Sequence, residues 1–104
     1  MSIASTPPAP YYAVIFTSIK KEKAEGYESM AERMMELASK QPGFLGVESA
    51  REEIGITVSY WESMYSIKLW KENAEHTIAQ ERGKLQWYEH YTVRICLVQR
   101  EYSF

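Results

Sequence analysis

GITVSYWESMYSIKLWKENAEHTIAQERGKLQWYEHY, residues 55–91, decides how this chain folds. The run Ile54 to Trp61 is β-branched and aromatic and has the length of a strand. Ser63 stands three residues before Ser66 and just ahead of the periodic series Ile67, Trp70 and Ala74, an N-cap position that predicts a helix reaching to about Leu85. Gly83 and the aromatic pair Trp87 and Tyr88 mark its end. Tyr91 to Arg100 then sets Tyr91, Val93, Ile95 and Leu97 against Thr92, Arg94, Cys96 and Val98, a strand with one face on a core and one on something more polar. All 3 tryptophans and both histidines of the chain lie in this window, with Tyr60, Tyr65, Tyr88 and Tyr91. Aromatic and titratable groups gather where the chain changes direction, which predicts a pocket there.

Upstream, Phe44 to Ala50 is a second short strand, joined to Ile54–Trp61 by the polar connection Arg51, Glu52 and Glu53 in a hairpin. Ala24 to Lys40 places Tyr27, Met30, Met34, Leu37 and Ala38 at helical spacing, and Gln41-Pro42-Gly43 stops it. The methionines of that stripe read as core filler. Tyr11 to Ile19 reads as a central strand. Residues 1–10, small and proline-rich, cannot bury enough surface to offset ordering and are expected to be a disordered tail, with residues 11–104 forming the domain. The order strand, helix, strand, strand, helix, strand is an α+β, ferredoxin-like split βαβ, an antiparallel sheet with both helices on one face.

Composition removes several functions. Twelve basic and 14 acidic residues give a net charge of −2, so no cationic field serves a nucleic-acid backbone or an anionic lipid surface. No apolar run approaches the ~20 residues that span a bilayer, and the N-terminus lacks the order of a secretory signal, so a cytoplasmic location is expected. Cys96, the 1 cysteine of the chain, suits a small buried hydrophobe in its strand better than a nucleophile. No glycine-rich phosphate loop follows a strand, and the histidines and the cysteine have no spacing for a structural metal. With helices on one sheet face only, the other face is expected to carry Tyr12, Val14, Phe16, Val58, Cys96 and Val98, too apolar a patch to leave in water. A second copy packed face to face, a homodimer, covers it.

YYAVIF (11–16), QPGFLGVES (41–49), GITVSYWES (55–63), SIKLWKENAEH (66–76) and WYEHYTVRI (87–95) together resemble the antibiotic biosynthesis monooxygenase domain family, the dimeric α+β barrel group. The resemblance runs from about Tyr11 to Tyr102, and its most specific parts are the Pro42-Gly43-Phe44 turn and the Trp61-Glu62-Ser63 junction with Trp70 beyond it. It implies a ferredoxin-like protomer and a homodimer. In characterised members it implies either cofactor-independent oxidation of phenolic or quinone-type substrates or the binding and oxidative opening of haem; many such domains have no known reaction. The haem branch uses an Asn on the first strand, a Trp on the second helix and a ligating His further along. Trp70 matches the Trp, but the Asn position falls on Ile15 or Phe16 and the ligand position near Gln80, whose amide is a poor iron ligand beside imidazole. His76 lies one turn earlier, and a shifted helix could bring it to the site, so haem stays as the alternative cofactor to none.

From these residues a candidate site is assembled. His76, Ala79, Gln80 and Gly83 share one helix face, an imidazole and an amide beside two small residues that admit a flat ligand or a neighbouring strand. Imidazole, with an ordinary pKa near ~6.5, is the group suited to take a phenolic proton near neutrality, which makes His76 the candidate general base. Trp70 either completes the core stripe Ile67, Trp70, Ala74 and Thr77 or stacks a planar substrate. Tyr60, Trp87 and Tyr91 are the further candidate walls. Arg94, between Val93 and Ile95, is expected to be a buried guanidinium needing a carboxylate across a dimer or an anionic ligand. The sequence thus supports a small cofactor-independent monooxygenase acting on a phenol or hydroquinone, or a non-catalytic dimeric small-molecule-binding module built of the same residues.

Overall fold

The computed structural model describes residues 2–81 and 87–104, the side chains of residues 78–81 excepted. The chain forms β1 (Tyr11–Lys20), α1 (Tyr27–Ser39), β2 (Phe44–Arg51), β3 (Gly55–Trp61), α2 (Met64–Glu81) and β4 (Tyr88–Val98). One sheet of order β2-β3-β1-β4 is antiparallel throughout. This is the expected ferredoxin-like α+β architecture.

Local chemistry sets the boundaries. α1 begins after Gly26, which takes φ 77°, a left-handed conformation that costs glycine little. That turn delays the helix to Tyr27 from the expected Ala24. Gly43 turns at φ 84° between α1 and β2, and its carbonyl accepts from Glu62 N–H at 2.8 Å, tying the turn to the β3–α2 junction. Ser63 caps α2: its hydroxyl accepts from Ser66 N–H at 3.1 Å. The expected end of that helix at Leu85 lies outside the described residues. β4 starts three residues before the expected Tyr91, because Ile19 pairs with His90 and, after a bulge, Lys20 pairs with Tyr88. Its last pair is Val98 with Tyr11; Pro10 has no N–H with which to extend the ladder.

Residues directly opposite in neighbouring strands share a sheet face, and the register therefore sorts every side chain. Trp61 stacks on Trp70 of α2 at 6.1 Å between ring centroids, so its side is the helix side. Tyr12 pairs with Trp61, Val14 with Ser59, and Phe16 with Thr57. All three therefore lie on the helix side, and the expected grouping of Tyr12, Val14 and Phe16 with Val58, Cys96 and Val98 is corrected. The open side carries Ala13, Ile15, Val58, Tyr60, Arg94 and Cys96.

The core sits between sheet and helices around Trp61, 0% exposed, with Ile67, Met30 and Ala38. It does not reach across β4, an edge strand. Val93, Ile95 and Leu97, expected on the core, are 46–48% exposed on its helix side. Cys96, on the open side of the same strand, is exposed in the single chain.

The segment 2–10, expected as a disordered tail, approaches the open side at two points: Ala4 N–H donates to Glu48 at 2.9 Å and Thr6 Oγ1 to Glu101 at 3.3 Å. Beneath it, Tyr60 donates to Glu48 at 2.6 Å and Tyr11 to Glu101, with the two rings edge to face at 5.7 Å. Burial, and then the bond to Glu48, push the Tyr60 phenol up to about 12 from its ordinary 10.0. A folded-state pKa raised in this way favours the neutral phenol. Its contribution to stability is full below pH 10 and is lost as pH rises toward about 12. Alkaline unfolding should therefore steepen above pH 10, and Tyr60→Phe should flatten that limb; identical alkaline limbs for the two proteins would contradict it.

Candidate functional site

At the Lys20 end of β1 the helix side of the sheet carries a continuous aromatic cluster. Phe16 stacks on Tyr91 at 5.3 Å and meets Tyr88 edge-on at 5.4 Å. Tyr88 meets Tyr91 at 5.8 Å and Tyr27 at 5.7 Å, and Tyr27 meets Trp87 at 6.3 Å. Offset and edge-on rings at these separations gain beyond their buried area. Tyr27 reaches the group because it opens α1 directly after Gly26. The loop before it is fastened by Trp87, whose Nε1 donates to the carbonyl of Glu25 at 3.0 Å. Phe16, Tyr27, Tyr88 and Tyr91 are each half-buried, so ring edges remain accessible to a flat molecule.

Two cations stand over this cluster. Lys20 Nζ lies 5.1 Å and Arg51 Cζ 5.5 Å from the centroid of the Tyr27 ring, within cation–π range. Arg51 ends β2 and faces Gly55 across the hairpin, and Ser18 of β1 faces Gly55 from the other side. Arg51 Nη2 donates to Ser18 Oγ. A Cβ placed on Gly55 would run into the guanidinium, so the glycine leaves the room in which the arginine lies. The Tyr88 phenol is held well above the ordinary range, first by burial and then by its hydrogen bond with Tyr27, with Arg51 pulling the other way. It stays protonated near neutrality, its hydroxyl engaged with Tyr27.

The expected site residues are divided by the structure. Trp87 and Tyr91 meet in the cluster just described. Trp70 lies on the helix side too, but at the other end of the sheet, stacked on Trp61, which pairs with Tyr12; Tyr12 and Lys20 are separated by roughly 25 Å of extended strand. Tyr60 points to the opposite side of the sheet, bonded to Glu48, and shares no wall with Trp70 or Trp87. Arg94 is exposed in the single chain, on the open side of β4, the side expected to meet a second copy. His76 is exposed on α2, one residue before the buried Thr77. The side chain of Gln80, and Gly83, lie outside the described residues. Arg51, Lys20, Tyr27 and Ser18 were not expected at the site. Arg51 had been read as part of a polar turn, yet a glycine heading the next strand directly across a short hairpin is the sequence sign of a bulky neighbour.

The sequence pattern of the antibiotic biosynthesis monooxygenase family matches residues 10–82. The chain belongs to that family. It is 54% identical over 104 residues to the uncharacterized protein YqjZ of Bacillus subtilis (strain 168), covering 98% of this chain and 91% of that one. Among solved structures it is similar to PA3566 from Pseudomonas aeruginosa, with a TM-score of 0.71 at 13% identity over 88% of this chain and 97% of that one. A point variant of SnoaB, described as a cofactor-independent oxygenase from Streptomyces nogalater, superimposes with a TM-score of 0.72 at 11% identity, covering 89% and 97%. These two likenesses show the fold.

The residues present do not fit haem. The resemblance puts the haem branch's Asn on Ile15 or Phe16, neither of which carries an amide, and the Phe16 ring is already packed on Tyr91 and Tyr88. Among the described residues no group of three or more His, Cys, Asp or Glu side chains is placed to hold a metal ion. Among the described residues no helix is long and apolar enough to cross a membrane.

Proposed function

We propose that this chain is a cofactor-independent monooxygenase acting on a small aromatic molecule of the phenol or hydroquinone type. The observation that carries the reading is the half-buried cluster of Phe16, Tyr27, Tyr88 and Tyr91 on the helix side of the sheet, an aromatic surface against which a planar molecule can pack. Family membership and the fold shared with a cofactor-independent oxygenase support it. In this reading His76, accessible on α2, takes a proton from the activated substrate. The resulting anion, with electron density on a ring carbon, forms a carbon–oxygen bond to dioxygen. The hydroperoxide then loses water, its O–O bond breaking as the carbon becomes a carbonyl. One oxygen atom is retained and the other leaves in water, so a CH2 centre and one O2 give a C=O centre and one H2O without an added reductant. The working partner is a second copy, packed on the open side of the sheet, where Ile56 is 45% exposed.

A non-catalytic dimeric binding module is favoured by one observation: the indoles of Trp61, Trp70 and Trp87 all pack on protein rings. Oxygen uptake separates the two readings. The protein, stripped of metal and without flavin or haem, should consume oxygen on at least one of a panel of hydroquinones and anthrone-like phenols; no uptake on any of them would favour the module. Sedimentation at micromolar concentration should show a dimer, and a monomer would remove the proposed partner.

A further inference from the structure

We propose that Arg51 is an anion-recognition residue, and that the aromatic molecule taken by this cluster is held there as a phenolate, the ionised oxygen left when His76 has taken its proton. The inference rests on the aromatic cluster as the substrate site and specifies what enters it. Its first ground is the seat. Gly55 heads β3 between Ser18 and Arg51, at a position where any Cβ would displace the guanidinium. The absent side chain leaves the room in which the arginine head lies.

The second ground is the state of that head. A guanidinium has five N–H donors in a planar fork and no acceptor. Ser18 Oγ, 1% exposed, takes one of them, and the Tyr27 ring takes the face. No carboxylate lies within ion-pair distance among the described residues, and Glu52 and Glu53 beside it in sequence are exposed in the turn. A partly desolvated cation without a counter-charge is costly, and here a second cation, Lys20, shares the same ring. An anion held by the guanidinium would relieve that desolvation.

The third ground is the choice of neighbours. The field of Arg51 reaches the Tyr88 hydroxyl, which is hydrogen-bonded with Tyr27. The guanidinium, with the donors left after Ser18, can hydrogen-bond an oxygen bearing negative charge, while the half-buried rings around it can receive the body of an aromatic. A purely structural clip joining β2 to β1 would need neither Lys20 nor a guanidinium with no carboxylate against it among the described residues.

The test uses the full chain with para-nitrophenolate and its methyl ether, para-nitroanisole, at a pH where the phenol is ionised. Binding is followed by equilibrium dialysis. The wild type should bind the phenolate at least about tenfold more tightly than the ether, the increment expected of a hydrogen bond to a charged group. Arg51→Met should abolish the preference. Gly55→Ala, which keeps the charge but pushes the flexible guanidinium from its seat, should reduce it at least several-fold, and it decides the matter if Arg51→Met does not fold. Equal affinities for the two probes in the wild type, or a preference retained in the folded variants, would overturn the proposal. Oxygen uptake measured on the same samples keeps the readings apart. A phenolate preference lost in the variants, without turnover of any hydroquinone, upholds the anion site and removes the oxygenase; turnover without a phenolate preference does the reverse.

Discussion

Replacing Trp61 with alanine should lower the melting temperature by roughly 12–40 °C. The indole is 0% exposed, is stacked on Trp70, meets Phe44 edge-on at 5.4 Å, and donates through Nε1 to Ser59 Oγ at 2.8 Å. Truncating a buried tryptophan typically costs about 3–5 kcal/mol, and about 1 kcal/mol corresponds to roughly 4–8 °C in a domain of this size. Against a total stability of about 5–15 kcal/mol, the variant sits near the limit of folding. Trp61→Phe, which keeps a ring against Trp70 and loses the hydrogen bond, should cost far less. A shift under about 5 °C for the alanine variant would show that Trp61 is not the centre of the core.

His76→Ala should lower the rate of oxygen uptake by about 10² to 10⁴-fold, the usual cost of removing a general base. The imidazole is exposed on α2, so the same variant should lower its melting temperature by no more than the roughly 4–8 °C that goes with a lost hydrogen bond of about 1 kcal/mol. The two measurements discriminate. An unchanged rate with a lowered melting temperature assigns His76 to structure, and the proposal of His76 as base fails.

The element order was legible in the sequence because periodicity and punctuation are local: Gln41-Pro42-Gly43 stops a helix, Ser63 caps one, and β-branched alternation marks the strands. Which side of the sheet each strand's alternate residues take is not local. It depends on register, and so Tyr12, Val14 and Phe16 were assigned to the wrong side. One sign was available and unused: Tyr60 and Trp61 are adjacent in a strand and must point oppositely. If Trp61 meets the α2 helix, Tyr60 cannot share a wall with Trp70. The exposure of Arg94 and Cys96 in the single chain follows from their place on the open side of β4, a fact of topology that no window of sequence contains. Trp87 and Tyr91 were found as site candidates by their clustering, whereas Arg51 was hidden by its place beside Glu52 and Glu53 at a hairpin end.

The measurement that bears most directly on the proposed activity is isotope incorporation from heavy-labelled dioxygen by the metal-free protein, supplied with an anthrone-like phenol and no flavin or haem. The account predicts a quinone-type product carrying one labelled oxygen atom, with the second label recovered in water and the yield falling in His76→Ala. A product without label, or no product beyond that formed in buffer alone, would contradict it.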